Sequence, residues 1–261
     1  MRDYGRRDNR GFPPAAPDVP QNLLAFDTST ESLSVALAWN DGSGRRLLAR
    51  EAEGGRAASA ALVPALMDLL RDASLPLARL DAIVFGQGPG SFTGLRTACA
   101  VAQGLAWGAG LPVLPVETLM AVAEDARERH GAERVAAVID ARMGEVYSAD
   151  YEHAQGQWQR LGPIRLGPPE ALVVPAGFVL AGNAFATLGE RLPAGAERLP
   201  AAPTAAALLR LAPSLIARGG AVAPGEALPL YIRDKVAQTT QERLAARGET
   251  SPEFPAPPAV A

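Results

Sequence analysis

The sequence predicts an α/β protein with two lobes. Predicted strands and helices alternate along the chain, which favours largely parallel sheets with helices on their faces. A strand-turn-strand hairpin with the same arrangement of residues occurs twice, which indicates an internal duplication in which each lobe opens with the same hairpin. The 261 residues are enough for one large domain or for two small ones that share a core.

The repeated hairpin has an aspartate at the end of its first strand, Asp27 in the first copy and Asp140 in the second. A short polar turn follows each aspartate, and a second apolar strand follows each turn. The predicted strands are 23–26 and 33–39 in the first copy and 135–139 and 146–151 in the second.

The remaining elements follow from apolar spacing and from glycine and proline positions. We predict helices over 57–70, 93–108, 117–129 and 204–219, and strands within 80–90, 111–116 and 178–185. The predicted domains are a disordered leader (1–21), a first lobe (22–130) that carries the GPGSFTG loop, a second lobe (131–204), a segment (205–237) that can pack back on the first lobe, and a disordered tail (238–261).

The glycine-rich stretch "GQGPGSFTGLR" begins at Gly86 and matches neither familiar phosphate-binding pattern, since no lysine follows its glycines and their spacing is not G-x-G-x-x-G. A strand, a glycine loop and a helix N-terminus together still form a potential anion site. Alternatively, the glycines only make a tight turn, and Ser91 or Thr93 caps the helix. Both interpretations stay open. The candidate nucleotide-proximal residues are Asp27, Gly88, Gly90, Ser91, Thr93 and Asp140.

Asp27 and Asp140 suggest two interpretations. They can face one another across a cleft between the lobes and hold hydrated magnesium beside phosphates. Each can equally serve only to hydrogen-bond its own turn. The two histidines, His130 and His153, lack the HxxxH spacing of a helical metal site, and Cys99 is the single cysteine. We therefore expect no metal site in this chain.

The predicted helix 93–108 carries a seam of small residues, from Gly94 to Ala106 at every fourth position. Such a seam lets another element approach closely, and that element is either the protein's own sheet or a helix of a partner that also contacts the predicted helix 57–70. The candidate partner-interface residues are Ala58, Leu62, Leu66, Leu69, Leu95, Ala98, Ala102 and Leu105.

Composition and charge narrow the class of protein. Hydrophobic residues make up 48% and charged residues 20% of the chain, no apolar run reaches the length of a membrane span, and the formal net charge of -3 argues against a broad nucleic-acid-binding surface. The lone cysteine and the absence of a secretory pattern near the N-terminus favour a cytoplasmic protein.

Four blocks of the sequence resemble the TsaB (YeaZ) family of bacterial proteins: "LLAFDTSTESLSVAL", "GQGPGSFTGLRTACAVAQGLAWGAGLPVLPVETLMAVA", "VIDARMGEVYSADYE" and "PLYIRDKVA". The resemblance spans most of residues 22–237. It implies a two-lobed actin-like ATPase fold, which is Hsp70-like and ribonuclease H-like. It also implies a role in forming N6-threonylcarbamoyladenosine at position 37 of ANN-decoding tRNAs.

The resemblance further implies a non-catalytic subunit that dimerises with a TsaD-like catalytic homologue and works with a TsaE-like ATPase. The catalytic relatives carry a metal-binding HxxxH where this sequence has Thr118 and Val122. We therefore expect no catalytic residue, no metal and no required cofactor in this chain. We expect ATP and magnesium at the level of the complex, and tRNA contact only through the complex. A homodimer is an open alternative.

Two other functions compete with this interpretation. One is a stand-alone ATPase or small-molecule kinase of the actin-like fold that uses Asp27 and Asp140 with magnesium. The other is a protease, which would require a metal or a nucleophile that the sequence does not offer.

Overall fold

The computed structural model describes residues 22–53 and 58–233. The predicted leader (1–21) and tail (238–261) lie outside this part of the chain. The strands are β1 (Leu23–Asp27), β2 (Ser32–Asn40), β3 (Arg45–Glu53), β4 (Ala82–Gly88), β5 (Val113–Glu117), β6 (Arg134–Arg142), β7 (Glu145–Ala154), β8 (Gln157–Arg160), β9 (Arg165–Gly167), β10 (Val179–Gly182) and β11 (Arg198–Pro200). The helices are α1 (Ala58–Asp72), α2 (Phe92–Ala109), α3 (Thr118–His130), α4 (Phe185–Leu188) and α5 (Ala205–Ala217).

The strands form two sheets with the same topology. The first has the order β3-β2-β1-β4-β5, and the second has β8-β7-β6-β10-β11, with β9 paired to β7 outside this path. In each sheet the first three strands in sequence are antiparallel, and the next two join parallel to the first strand. The two-lobed α/β fold class is therefore confirmed, whereas the expectation of largely parallel sheets was wrong because each sheet is mixed.

The two hairpins predicted from the sequence form the centres of the two sheets. All five residues of β1 are buried, as expected for a strand covered on both faces. Helices α1 and α2 cover one face of the first sheet, and α3 and α5 lie on its other face, where their side chains share one hydrophobic core with the second sheet. Helix α5 follows the second sheet in sequence but packs on β1 and β2 of the first.

No helix in the part of the chain that the structure describes is long and apolar enough to cross a membrane.

The leucines of α1 belong to the core beneath the helix. Leu66 has no exposed surface and packs in the cluster that contains Leu24 and Phe26 of β1, whereas its neighbour Met67 is 36% exposed. We expect Leu66→Ala to lower the free energy of unfolding by about 2–5 kcal/mol, because the change removes buried methyl groups and leaves a cavity. Met67→Ala is the matched control, with an expected loss below about 1 kcal/mol. Denaturant unfolding measures both, and equal losses would contradict this assignment of the helix faces.

Candidate functional site in the interlobe cleft

A cavity of about 840 Å³ lies between the two lobes. The first lobe contributes the turn after β1 and the start of α2, and the second lobe contributes the turn between β6 and β7. The lining residues come from the segments 29–32, 90–96, 140–143, 183–187 and 230–233, together with Tyr147. The cavity therefore lies where the two copies of the repeated hairpin meet.

Three glycines of the loop fit directly against the turn that ends β1. A side chain at any of them would overlap an atom of that turn. The distances from an added Cβ would be 1.7 Å from Gly86 to Asp27 Oδ2, 2.4 Å from Gly90 to the carbonyl oxygen of Ser29, and 1.9 Å from Gly94 to the carbonyl oxygen of Thr28. These glycines are thus required by the close approach of two backbone segments.

The amide groups at the start of α2 are partly used within the protein. Ser91 is the N-cap, and its Oγ accepts a hydrogen bond from the Gly94 amide at 3.4 Å. The Ser91 amide donates to the carbonyl oxygen of Ser29 at 2.7 Å. Thr93 does not cap the helix but lies exposed in its first turn. This pattern favours the turn-forming interpretation of the glycine loop, because two amides that would face an anion already have acceptors.

Gly88 serves a second close approach, to the C-terminal segment of the described chain. Its φ is +118°, and a Cβ on it would lie 2.7 Å from the carbonyl oxygen of Leu230. The Leu230 amide in turn donates to the carbonyl oxygen of Gln87 at 2.7 Å. Gly88 therefore lets the backbone of Leu230 pack directly on the glycine loop.

Asp27 lies beneath the cleft and does not line it. Its side chain is buried, and Oδ1 accepts hydrogen bonds from the amide and hydroxyl of Ser29 at 2.8 and 2.6 Å. Gly86 packs against Oδ2, which has no hydrogen-bond partner. Burial raises the pKa of Asp27 to about 6, and the hydrogen bonds from Ser29 oppose this rise. Of the two interpretations of Asp27, the structure therefore favours the second, in which the side chain holds its own turn and does not face Asp140 across the cleft.

Asp140 does line the cleft, and the second lobe holds both of its carboxylate oxygens. Oδ1 accepts from the Arg142 amide at 2.7 Å, and Oδ2 accepts from the Thr187 hydroxyl at 3.0 Å. Among residues 22–53 and 58–233, no group of three or more histidine, cysteine or acidic side chains is arranged to hold a metal ion. The two aspartates that the sequence aligns therefore have different surroundings.

An arginine stacked on aromatic rings forms the first-lobe wall of the cleft. The Arg96 guanidinium lies 3.7 Å from the centre of the Phe92 ring, and its Nε donates to the Tyr231 hydroxyl at 2.9 Å. The Phe92 and Tyr231 rings lie 5.6 Å apart. Sequence reasoning missed this group. The i, i+4 spacing of Phe92 and Arg96 on one helix was a signal for their contact, whereas nothing local pointed to Tyr231.

Opposite this wall, Arg142 extends from the second hairpin turn and forms an ion pair with Glu31 of the first. Both side chains are more than half exposed, so the pair contributes only about 0–1 kcal/mol. Arg142 and Met143 have φ values of +65° and +55°, in the left-handed region that non-glycine residues seldom occupy. The two turns that line the cleft are thus connected by a weak, solvent-exposed contact.

The residues predicted to form a partner interface lie on the buried faces of their helices, so this prediction is corrected. Most of the candidate side chains have at most 1% of their surface exposed and pack against the first sheet, so they are core residues of this chain: Leu62, Leu66, Leu69, Leu95, Ala98 and Ala102. Leu105 is partly buried against the same cluster, and the side chain of Ala58 lies outside what the structure describes. The seam of small residues therefore lets α2 approach its own sheet.

Comparisons with known proteins identify the class. Residues 51–182 match the family model described as "TsaD: tRNA N6-adenosine threonylcarbamoyltransferase". The solved structure of YeaZ from Pseudomonas aeruginosa aligns with a TM-score of 0.74 and 43% identity, over 81% of this chain and all of that one. The molecule is therefore a two-lobed α/β protein of the TsaD class.

Individual relatives define the family more narrowly. The "tRNA threonylcarbamoyladenosine biosynthesis protein TsaB" of Escherichia coli K12 is 39% identical over 231 residues, which cover 82% of this chain and 96% of that protein. The protein of the same name from Haemophilus influenzae is 48% identical over 125 residues, 48% of this chain and 51% of that one. The chain belongs to the TsaB family.

The buried carboxyl of Asp27 predicts a pH-dependent stability. Its pKa is about 6 in the folded protein against an ordinary value of 3.8, so between these values the folded state holds a proton that the unfolded state has released. This stabilisation is complete below pH 3.8 and is lost as the pH rises through 6. Asp27→Asn cannot titrate. We expect the wild type to lose about 2 kcal/mol relative to this variant between pH 4 and 7.

Denaturant unfolding of both proteins at several pH values measures this difference. A difference between wild type and Asp27→Asn that stays constant across the range would contradict the assigned burial of the Asp27 carboxyl.

Proposed function

We propose that the protein is a non-catalytic scaffold subunit of the complex that forms N6-threonylcarbamoyladenosine at position 37 of ANN-decoding tRNAs. In this proposal it acts in the cytoplasm and supports a TsaD-like catalytic subunit and a TsaE-like ATPase, with tRNA contacted only through the complex. The observation that carries the proposal is the similarity to the E. coli protein named for threonylcarbamoyladenosine biosynthesis, which extends over 96% of that protein.

The surroundings of the candidate residues support a non-catalytic role for the chain. Thr118 and Val122, which occupy the positions of the metal-binding histidines in the catalytic relatives, are buried at the start of α3. Neither a threonine nor a valine side chain supplies the nitrogen ligand that such a site requires. Asp27 is sealed beneath Gly86. In this proposal, any ATP and magnesium act at the level of the complex.

The outer face of α2 supports docking to a partner helix. Gly104 and Gly108 are exposed, and a Cβ on either would meet no atom within 4 Å. They form a flat exposed stripe with Ala100, next to Trp107, which is 65% exposed. A flat stripe beside a large exposed aromatic side chain suits a helix of a second protein, because backbones can approach closely there. The partner in this proposal is the TsaD-like subunit, and a second copy of this chain is the alternative.

One substitution on each face of α2 distinguishes the role of the exposed face from that of the buried face. We expect Gly104→Arg to fold normally, because the position is open and the change improves helix propensity by about 1 kcal/mol. The variant should lose binding to the TsaD-like subunit, since a long charged side chain would then lie at the contact. Ala102→Arg, two residues away, should instead lose several kcal/mol of folding stability because it forces the charge into the core.

Thermal melts beside copurification with the organism's own TsaD-like protein measure both variants. Normal binding by a folded Gly104→Arg would move the interface away from α2. A normal melt of Ala102→Arg would contradict the core assignment of the seam.

The cleft favours a second candidate function, a stand-alone ATPase or small-molecule kinase. Its volume of about 840 Å³ is large enough for a nucleotide, and Asp140 and Arg96 both line it. If the scaffold proposal is right, the purified protein with ATP and magnesium should show no turnover above background. A measurable rate that disappears in Asp140→Ala would overturn the scaffold proposal in favour of this one.

A further inference from the structure

The last segment that the structure describes, residues 222–233, forms a strap along the first lobe. It begins with an antiparallel bridge to β5, in which Val113 and Val222 exchange two backbone hydrogen bonds at 3.0 and 2.8 Å. Further along, the Ala227 carbonyl oxygen accepts a hydrogen bond from Gln103 Nε2 of α2 at 3.0 Å. The strap is therefore attached to the first lobe at its start and at its middle.

The strap then crosses from the first lobe to the second along one wall of the cleft. The Tyr231 hydroxyl accepts a hydrogen bond from Arg96 of α2, so this residue still lies on the first lobe. Two residues further, Arg233 Nη2 donates to Glu145 Oε2 at 2.7 Å, at the start of β7 in the second lobe. The two side chains of this ion pair are 16% and 34% exposed. Two residues of chain span at most about 7 Å, so the strap has little slack between its contacts with the two lobes.

Arg233 also holds the turn between β6 and β7 on the second lobe. Its Nη2 donates to the Ala141 carbonyl oxygen at 3.2 Å, and its Nη1 lies 3.0 Å from Met143 Sδ. The three residues of this turn, 142–144, have φ values of +65°, +55° and +75°. Non-glycine residues seldom adopt such a left-handed backbone, so surrounding contacts must hold Arg142 and Met143 in it. Arg233 provides contacts of this kind on both sides of the turn.

A shared hydrophobic core joins the two lobes as well. It contains buried residues of both sheets, among them Val84 of the first and Ile139 of the second. Separating the lobes at this core would expose apolar surface to water, which the hydrophobic effect opposes. The contacts that Arg233 and Arg142 make across the cleft are instead ion pairs, whose charged groups water can solvate after separation. Opening at the cleft therefore costs less than separation at the core.

We propose that residues 230–233 are a latch, in which the ion pair of Arg233 with Glu145 holds the interlobe cleft closed and its release lets the lobes open. The ion pair of Arg142 with Glu31 is secondary, because both side chains are more than half exposed and solvent screens their attraction. A molecule in the cleft that took either member of the latch pair would open the cleft. The inference is independent of the proposed role in tRNA modification.

The test measures the separation of the lobes in the full chain. Spin labels on Thr93→Cys of the first lobe and Glu190→Cys of the second report the distance across the cleft by double electron-electron resonance. Both positions are exposed, and the native Cys99 is buried. Hydrogen exchange of the amides of residues 141–146 reports the turn that Arg233 holds.

Arg233→Gln and Glu145→Gln should each lengthen or broaden the distance between the labels. Each should also raise the exchange rate of the turn about tenfold or more, as expected for the loss of a charge-assisted hydrogen bond. The charge-reversed pair, Arg233→Glu with Glu145→Arg, should restore at least half of the change in distance. Glu31→Gln is the matched control, because it removes the exposed pair across the same cleft. It should leave the distance unchanged and raise the exchange rate by about threefold at most.

Several results would overturn the latch. One is an unchanged distance in both latch variants, and another is an equal change in Glu31→Gln. Faster exchange of the turn at an unchanged distance would assign Arg233 to the turn alone, and a charge-reversed pair that stays open would show that the ion pair is not what closes the cleft. Thermal melts check the fold of each variant. Because the Glu145 side chain is 34% exposed, Glu145→Gln keeps the test decisive if Arg233→Gln does not fold.

Discussion

The close contact between the glycine loop and the turn after β1 determines much of the molecule. Because Gly86, Gly90 and Gly94 lack side chains, the loop lies directly on the backbone of that turn. The contact seals Asp27 from solvent, places the first turn of α2 and provides the floor of the cleft. A glycine-rich loop before a helix need not be a phosphate site, since here the absence of side chains lets two protein segments lie in contact.

The sequence predicted the centres of both sheets well but their edges poorly. The central strands are continuous apolar runs that end in turn residues, so β1 and β6 were predictable from the local sequence pattern alone. The strands β3 and β8 were missed because they are edge strands in which charged or amide residues occupy many positions and only part of each strand is buried. The two predicted hairpins already imply one antiparallel pair in each sheet, and the missed strands β3 and β8 add a second.

The site was predictable in its location but not in the orientation of its residues. Asp27 and Asp140 end equivalent strands, and their surroundings distinguish them: Gly86 of β4 packs on the first carboxylate, and the Thr187 hydroxyl of α4 hydrogen-bonds the second. The spacing of small residues in α2 had a similar ambiguity. Ala98 and Ala102 face the sheet, whereas Ala100 and Gly104 face solvent, and a period of four residues fits either stripe.

The duplication explains why the two lobes offer different surfaces. In both, a glycine on the neighbouring parallel strand packs closely on the first strand: Gly86 packs on Asp27, and a Cβ on Gly182 would lie 1.7 Å from the Val138 carbonyl oxygen. After Gly86 the chain forms α2, with 18 residues, whereas after Gly182 it forms α4, with four. The first lobe therefore presents a long helix with a flat outer face, and the second lobe has no equivalent helix at this position. A partner that recognises this helix would bind the first lobe alone. The cleft, which residues of both lobes line, would then lie outside that contact.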